Sequence, residues 1–548
     1  MMFRYSILAV SFAALFYYYR TTMHVKFNLK YCQDKIEDML LTTWNDYSKN
    51  GFGFDIYSPI SHRSKNMPRT NEPLGWINID SIDTLMLFYS STNNSGTKLK
   101  LEAEIIKIEN WITKDIHYKD IDAEINIFET TIRMLGGLLS AYYLSNEFQV
   151  GNSSLYLNKA TELADILSLS FGQSPSGIPF SSINLKTGNA IKNHADQGAS
   201  STAEFTTLQM EFKYLSAITG NDTYWKLAEQ VYKPLYEQNN LLGPRYDGLV
   251  PIYTFADSGK FFTSNIRLGS RGDSFYEYLL KQYLLTHEPL YYQLYRQSME
   301  GVKKHLVHYS YPNKWLYIAE KPNGLTGRIS PKMDHLVCFM GGLLAMGATE
   351  GLHISEARKQ TWWDSVREED WQIAKDLTHT CYQMYHQLPS GLSPEIVVFN
   401  GDELEEHETR DWWKAPSGDF YVKPLDAHNL QRPETVESIM ILYHLTGNQK
   451  YREWGQEIME SFDKNTCVHC DDPSRKFYTS LNNCIEMPTD KRDNLESFWI
   501  AETLKYLHLL FQDDVDMTKF VFNTEAHPFP VLDKVVLDSL KLVTGWSL

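Results

Sequence analysis

Positive charge is in short supply in this chain. Its 548 residues carry 52 Lys and Arg against 68 Asp and Glu, a formal net charge of −16 at pH 7. No stretch gathers the basic footprint of a nucleic-acid binder, so no nucleic-acid partner is expected. The acidic excess suits a cation site, a neutral polar substrate or simply a soluble surface. Low-complexity segments and long Pro/Gly/Ser linkers are missing; only short loop signals such as "SPSGIP" and "EKPNGLTG" occur. Metal motifs are scarce too. There is no HExxH, no second CxxC beside "CVHC" (Cys467 to Cys470), and the acidic run "NGDELEEHE" (Asn400 to Glu408) lacks the D-x-D-x-D-G spacing of an EF-hand loop. That run reads as a solvated loop. CVHC reads as a small structural disulfide, ahead of a redox pair or half of a zinc site.

Long apolar runs are equally rare. The N-terminus "MMFRYSILAVSFAALFYYYR" holds one, from Tyr5 to Tyr19, about 15 residues long against the ~20 of a comfortable membrane span. Arg4 can snorkel and Tyr17, Tyr18 and Tyr19 suit a membrane interface. No A-x-A site follows, which favours an uncleaved signal anchor over a cleaved signal peptide. The sequons at Asn93, Asn152 and Asn221 behind this run favour a secretory-pathway lumen. In such a compartment some of the six cysteines pair. The expected organisation is a cytoplasmic tip and anchor over 1–20, a short stem over 21–34 and a globular domain over 35–548.

What the sequence does have is apolar residues (43%), aromatics (14%) and a repeat of kind rather than of letters. "FETTIRMLGGLLSAYYL" (Phe128 to Leu144) begins with polar residues and continues as an aliphatic helix. Six segments share this polarity: "IDSIDTLMLFYS", "STAEFTTLQMEFKYL", "RGDSFYEYLLKQYLL", "DHLVCFMGGLLAMG", "RPETVESIMILYHL" and "LESFWIAETLKYLHLL". Ser201 and Glu204 fit a capping box, and Pro433 fits a first-turn helix position. Amphipathic stretches with a solvent face lie between them. Seven buried-type helices alternating with seven surface-type helices predict an all-α (α/α)7 barrel, an inner ring inside an outer ring. A two-domain helical protein is the alternative.

If the inner helices run the same way, their heads meet at one mouth. That gathers Asp83, Glu129, Glu211, Asp273, Glu277, Glu434, Glu437, Glu496 and Glu502. Helix N-termini favour ionised carboxylates, whereas crowding of like charge raises some of their pKa values. Acid–base cleavage of a glycosidic bond needs that split. Arg133, Arg271 and Arg432 are the nearby counter-ions in sequence, and a hard cation is another. Taken singly, a helix-head Glu is most simply a cap, and Glu129 with Arg133 an i, i+4 ion pair. The seven-fold recurrence argues for more.

At "FETTIRMLGGLLSAY", "RGDSFYEYLLKQYL", "MDHLVCFMGGLL", "RPETVESIM", "ESFWIAETLKYL" and "FNTEAHPF" the chain resembles the class I α-1,2-mannosidases, glycoside hydrolase family 47. The likeness runs from about Tyr31 to Leu548, with the motifs in order and without departures in the catalytic ones. It is most similar to the family's endoplasmic-reticulum members: type II membrane proteins with a lumenal, monomeric catalytic domain that trim one mannose from the nine-mannose N-glycan. The resemblance implies an inverting, calcium-dependent hydrolase whose partners are high-mannose N-glycans on glycoproteins. It implies Glu129 as general acid acting through a water, Glu434 as the leading candidate for general base and Asp273 as a third essential carboxylate. An inverting pair stands roughly 6.5–9.5 Å apart.

The same resemblance implies Thr524 as the protein ligand of Ca2+. Glu211, Glu277, Glu395, Glu437, Glu502 and Glu525 match acids that hold substrate or water, with Asp83 a weaker match. His335 and Phe498 match the terminal-mannose pocket, and Arg133, Arg432 and Pro433 its other contacts. Arg271 matches the residue that meets the glycan branches in reticulum-type members, where Golgi-type members carry a smaller apolar residue. Cys338 and Cys381 match the family disulfide, and Cys467 with Cys470 a second one. Two rival expectations are a Golgi-type enzyme of broader trimming and a lectin-like degradation factor with little hydrolysis.

Overall fold

The computed structural model describes residues 27–68, 71–401, 404 and 409–547. The signal-anchor segment, the first part of the expected stem and most of the acidic run after Asn400 lie outside the described residues.

Fourteen main helices alternate along the chain. They are α1 (Leu29–Asn50), α2 (Trp76–Ser91), α3 (Ser95–Asp115), α4 (Gly136–Phe148), α5 (Ser153–Ser168), α6 (Gln209–Thr219) and α7 (Asp222–Glu229). Then follow α8 (Asp273–Thr286), α9 (Pro289–His305), α10 (Phe339–Thr349), α11 (Ser365–His386), α12 (Glu434–Thr446), α13 (Gln449–Thr466) and α14 (Lys505–Leu510). The even-numbered helices pack each against the next, and the segment that leads into α14 returns to α2, closing a ring. The odd-numbered helices lie outside it, α3 on α2, α5 on α4, α7 on α6, α9 on α8, α11 on α10 and α13 on α12. The segment read as "DHLVCFMGGLLAMG" lies in the only helical run among the described residues long and apolar enough to cross a membrane, His335–Ala357, but it is mostly buried in this ring.

Local chemistry separates the two sets. Six of the seven outer helices begin at an Asx residue whose side chain accepts from the first-turn backbone: Asn28, Asn94, Asn152, Asn221, Asp364 and Asn448. The seventh, α9, has Pro289 in its first turn. None of the seven inner helices has a side-chain cap at its own start, although Asn126 caps the helical run that leads into α4. Five of their C-termini are alike instead. α4, α6, α8, α10 and α12 end at left-handed residues, Gln149, Gly220, His287, Glu350 and Gly447, the helix stop that turns the chain back within a few residues. Tight turns therefore join each inner helix to the next outer one at one end of the barrel. Longer segments, carrying all the short strands but the last hairpin, return from outer to inner helices at the other.

Close inner packing depends on small residues. A Cβ on Gly137 would stand 2.5 Å from the Ile79 carbonyl oxygen, so α4 meets α2 backbone to backbone only with glycine there.

The last hairpin pairs Phe520–Phe522 with Pro528–Pro530. Its tip enters the ring. Asn523 Nδ2 donates to Ile132 O at 2.9 Å and to Glu211 Oε1 at 2.8 Å, and Lys281 Nζ reaches Asn523 O at 3.2 Å. Lys505 Nζ donates to Ala526 O at 2.8 Å, while His527 Nδ1 lies 2.8 Å from Asp83 Oδ2. The tip thus ties α2, α6, α8, α14 and the lead-in to α4 together and closes one end of the barrel. At the start of the chain α1 begins at Leu29 with Cys32 fully buried, so the packed unit takes in residues assigned above to the stem.

Candidate active site

The heads of the inner helices open into one cavity of about 370 Å³. Glu129 and Arg133 reach it from the lead-in to α4, Asp273 and Glu277 from α8, and Glu434 and Glu437 from α12. Phe498 and Glu502 come from the lead-in to α14, and Thr524 and Glu525 from the hairpin tip. Arg271 and Arg432 complete the twelve expected residues that line it. The two lead-ins are π-helical, Thr130–Leu135 and Trp499–Leu504, a widened turn that rotates a few side chains off the regular helix spacing. Gly272 makes the turn before Asp273, where a Cβ would collide with the Arg267 carbonyl oxygen at 2.2 Å.

Glu129 takes two fixed contacts. Asn126 Oδ1 accepts from its backbone N–H at 2.8 Å, and Arg133 Nε donates to its Oε2 at 2.9 Å. The i, i+4 ion pair is therefore present, but Arg133 does more than neutralise Glu129. Its Nη1 reaches Asp80 Oδ2 at 3.3 Å, Ser497 Oγ at 3.2 Å and Glu525 at short range. Behind Asp80, His527 Nε2 lies 3.1 Å from Asp80 Oδ1, and Lys505 Nζ donates to Asp83 Oδ2 at 2.8 Å. Burial pushes the Asp83 carboxyl up, but Lys505 and His527 outweigh it and hold it below the usual carboxylate range. Asp83 is fully buried behind the cavity and does not line it.

Glu434 has a different environment. His335 Nδ1 lies 2.7 Å from its Oε2, and Arg432 Nη1 lies 3.9 Å from Oε1. Tyr385 OH and Thr435 Oγ1 each stand 3.0 Å from His335 Nε2. Two hydroxyls donating to Nε2 leave the Nδ1 proton for Glu434, a tautomer assigned from the hydrogen-bond network. Burial pushes the Glu434 carboxyl up, yet the His335 hydrogen bond and the Arg432 charge hold it below the usual range. Asp273 goes the other way. Its Oδ1 accepts from Ser274 N at 2.9 Å, but burial and then the charges of Glu277, Asp334 and Glu434 push it up to about 7. One cavity therefore holds a carboxylate kept ionised beside one that binds a proton near neutrality.

The floor is crowded with acid. Thr524 Oγ1 donates to Glu277 Oε2 at 2.7 Å. Burial, with the charges of Glu277 and Glu434, pushes Glu437 up to about 8 against the pull of Lys281. Burial, with Asp80 and Glu129, pushes Glu525 up to about 8 against Arg133. Burial and the charges of Glu525 and Glu434 push Glu502 well above its usual value. Lys281 pairs with Glu277 at short range and stands 3.7 Å from Glu437. Oxygen donors, surplus negative charge and a hydroxyl at the centre fit a hard cation. Among the described residues no three His, Cys, Asp or Glu side chains gather closely enough to chelate an ion by themselves. The donor set suits an ion held mainly through water.

Four other expected residues stand beside the cavity rather than on its wall. His335 acts on Glu434 as described. Glu395 Oε2 accepts from Arg432 Nε. Glu211 accepts from Tyr278 OH at 2.7 Å and from Asn523 at 2.8 Å, and burial pushes it up to about 7. Pro433 sits at the position before α12 rather than in its first turn. Glu496, gathered with the helix heads on sequence, accepts from Asn494 Nδ2 at 2.8 Å and is not on the cavity wall.

Glu204 was missed. The capping-box reading fails because the Ser201 hydroxyl makes no cap and is buried without a partner. Glu204 instead lines the cavity, accepts from Asn126 Nδ2 at 3.3 Å, and is pushed up to about 7 by burial and by Glu129. Its place in "STAEF", at the head of an inner segment, was the available signal.

Both expected disulfides are present, Cys338–Cys381 joining the head of α10 to α11, and Cys467–Cys470. Cys32 and Cys484 are buried thiols. Asn93, Asn152 and Asn221 are all exposed at the starts of outer helices.

Comparison with known proteins agrees with this geometry. The family model of glycosyl hydrolase family 47 matches residues 39–531. The chain is 63% identical over 518 residues to the "Endoplasmic reticulum mannosyl-oligosaccharide 1,2-alpha-mannosidase" of Saccharomyces cerevisiae, covering 94% of this chain and 93% of that protein. It is 50% identical over 523 residues to the "Mannosyl-oligosaccharide 1,2-alpha-mannosidase" of Candida albicans, covering 94% and 85% respectively. Among solved structures it matches an alpha-1,2-mannosidase from Trichoderma reesei with a TM-score of 0.76 at 26% identity, over 92% of this chain and 99% of that one.

Proposed function

The chain belongs to glycosyl hydrolase family 47, and on that premise we propose that it is a mannosyl-oligosaccharide 1,2-α-mannosidase of the endoplasmic reticulum. It removes one terminal α-1,2-linked mannose from the nine-mannose N-glycan by inversion at the anomeric carbon. The observation that carries the reading is the split among the cavity acids: Glu434 is held ionised by His335 and Arg432 in a cavity that also holds Glu129 and a protonatable Asp273.

Glu434 takes the proton of the attacking water as general base. Its lowered pKa keeps it ionised through the neutral range of the lumen. Glu129, oriented by Arg133 and Asn126, delivers a proton through a water to the leaving oxygen. Asp273, at about 7, lines the same cavity and binds hydroxyls of the sugar or the attacking water itself. Phe498 offers an apolar surface to the terminal ring, and Arg432 lies over one face of it with its guanidinium carbon 5.3 Å from the ring centre. Glu277, Glu437, Glu502 and Glu525 hold hydroxyls or waters at the floor, and Thr524, through its hydroxyl and carbonyl, would hold calcium. When bound there, the ion would supply Lewis-acid contact to the sugar hydroxyls and offset the crowded acid. Arg271, exposed at the mouth, meets the glycan branches and limits trimming to one residue. The segment 1–20 anchors the enzyme as a type II protein with the barrel in the lumen, and the exposed sequons Asn93, Asn152 and Asn221 are its own acceptor sites.

Mass spectrometry of a nine-mannose glycan after incubation with the purified barrel tests this. Loss of a single mannose is expected. Loss of several means Golgi-type trimming, and loss of none turns the protein into a lectin-like factor; either result overturns the proposal.

A further inference from the structure

Three arginines reach the cavity, and each rests on an aromatic face. The guanidinium carbon of Arg133 stands 5.2 Å from the Trp76 ring centre, that of Arg432 5.3 Å from Phe498 and that of Arg271 5.3 Å from Tyr253. Arg133 and Arg432 are also fixed by carboxylates, Arg133 by Glu129, Asp80 and Glu525, and Arg432 by Glu395. Arg271 has no carboxylate within ion-pair range among the described residues; it lies on the Tyr253 face, and its charge reaches Glu204 only at longer range. Its backbone is held in the left-handed region at φ 76°, with its carbonyl accepting from Ala203 N at 3.0 Å. The side chain nevertheless projects into solvent at the mouth.

Tyr253 is built to hold something still. It is buried and lies on the two-residue strand Tyr253–Thr254, directly opposite Ser201 of the strand Ser200–Ser201, whose chain runs on into the cavity wall at Ala203 and Glu204. Phe262 meets its ring edge-on at a centroid distance of 6.4 Å. It is not among the residues that line the cavity. What it presents to the mouth is its ring face, and the guanidinium lies on it.

We propose that Tyr253 is a positioning residue for oligosaccharide selection: its ring face, held by the strand pairing to Ser201 and by Phe262, fixes the Arg271 guanidinium across the mouth, where that guanidinium meets the glycan branches. This deepens the reading of Arg271 given above and rests on it. A rigid arginine at the mouth selects among branches that differ only in where they leave the core. A loose one does not.

The test compares Y253L, Y253F and R271L on two substrates, the nine-mannose glycan and α-1,2-mannobiose, which is too short to reach the mouth. Y253L is expected to raise KM for the glycan by about three- to tenfold at nearly unchanged kcat, the range a lost cation–π contact allows. It is also expected to let trimming continue past the eight-mannose product, while mannobiose hydrolysis stays within about twofold. Y253F, which keeps the ring, is expected to retain the single-mannose product. R271L is the reference. If R271L leaves the product pattern unchanged, Arg271 does not select and the reading beneath the proposal falls with it. If R271L broadens trimming but Y253L does not, the role of Tyr253 alone is overturned. Parallel loss on mannobiose in Y253L, or a Y253F variant indistinguishable from Y253L, overturns it as well.

Discussion

Glu434 and His335 share a hydrogen bond of 2.7 Å, and the far nitrogen of the imidazole is occupied by the hydroxyls of Tyr385 and Thr435. The arrangement points the imidazole Nδ1–H at Glu434 and keeps the carboxyl below its usual pKa. Replacing His335 with Ala removes a donor to a charged group, a contact of ~1.5–3 kcal/mol. The Glu434 pKa then rises, so the acid limb of the kcat/KM profile moves to higher pH. Activity on the acid side falls by about ten- to a hundredfold. A pH–rate profile whose acid limb stays in place contradicts the assignment of Glu434 as base.

Glu129→Gln keeps the shape, the Asn126 contact to the backbone and an acceptor for Arg133, but cannot deliver a proton. Turnover should drop by about 10²–10⁴-fold, while the Tm and the affinity for the nine-mannose glycan stay near wild type. Single-turnover kinetics and a binding isotherm on the same preparation check this. Wild-type turnover removes Glu129 from the acid role.

The helix pattern and the inner heads were legible in the sequence, and physics explains why. "RGD" and "RPE" stand at helix starts that have no side-chain cap of their own, and "FETT" follows a single Asn126 cap, whereas six of the seven outer helices advertise their starts with Asn or Asp. Polar residues at an uncapped, buried helix start must face something, and here they face the cavity. Glu204 was hidden because Ser-x-x-Glu is also the signature of a capping box, and only the buried, unpartnered Ser201 hydroxyl tells the two apart. Thr524 could not be read from composition or periodicity. It reaches the site on a hairpin tip far along the chain and entered only through the resemblance. The ties of His527 to Asp80 and Asp83 span 447 and 444 residues, beyond any local pattern. The π-helical lead-ins to α4 and α14 leave no mark in residue type.

The Cys338–Cys381 bridge spans 43 positions and staples the head of α10, which carries His335 just before it, to α11. Opening it as a double Ser variant should cost about 2–4 kcal/mol of stability, visible as a lower Tm and a lower denaturant midpoint. Cys467–Cys470 spans only 3 positions, so the same change there should matter much less. Equal losses from the two variants contradict the chain-entropy account of both.

Calcium and pH should act on stability together. Asp273 and Glu211 are pushed up to about 7 and Glu437 to about 8, in each case chiefly by burial. A carboxyl that holds its proton more tightly when folded makes the native state bind more protons than the unfolded chain, so stability falls as pH rises between the unfolded and folded pKa values. For these groups that window runs from about 4 to about 8. Glu434 and Asp83, both lowered, act in the opposite sense, but only at the acid end. In excess EDTA the Tm should therefore decline from pH 5 to pH 8 and activity should be lost. Calcium should restore activity and flatten the decline, because a cation at Thr524 favours the ionised acids around it and stabilises the fold by mass action. A chelated protein whose Tm is flat or rises over that range contradicts the crowding of acid at the floor, and activity indifferent to EDTA contradicts the calcium site.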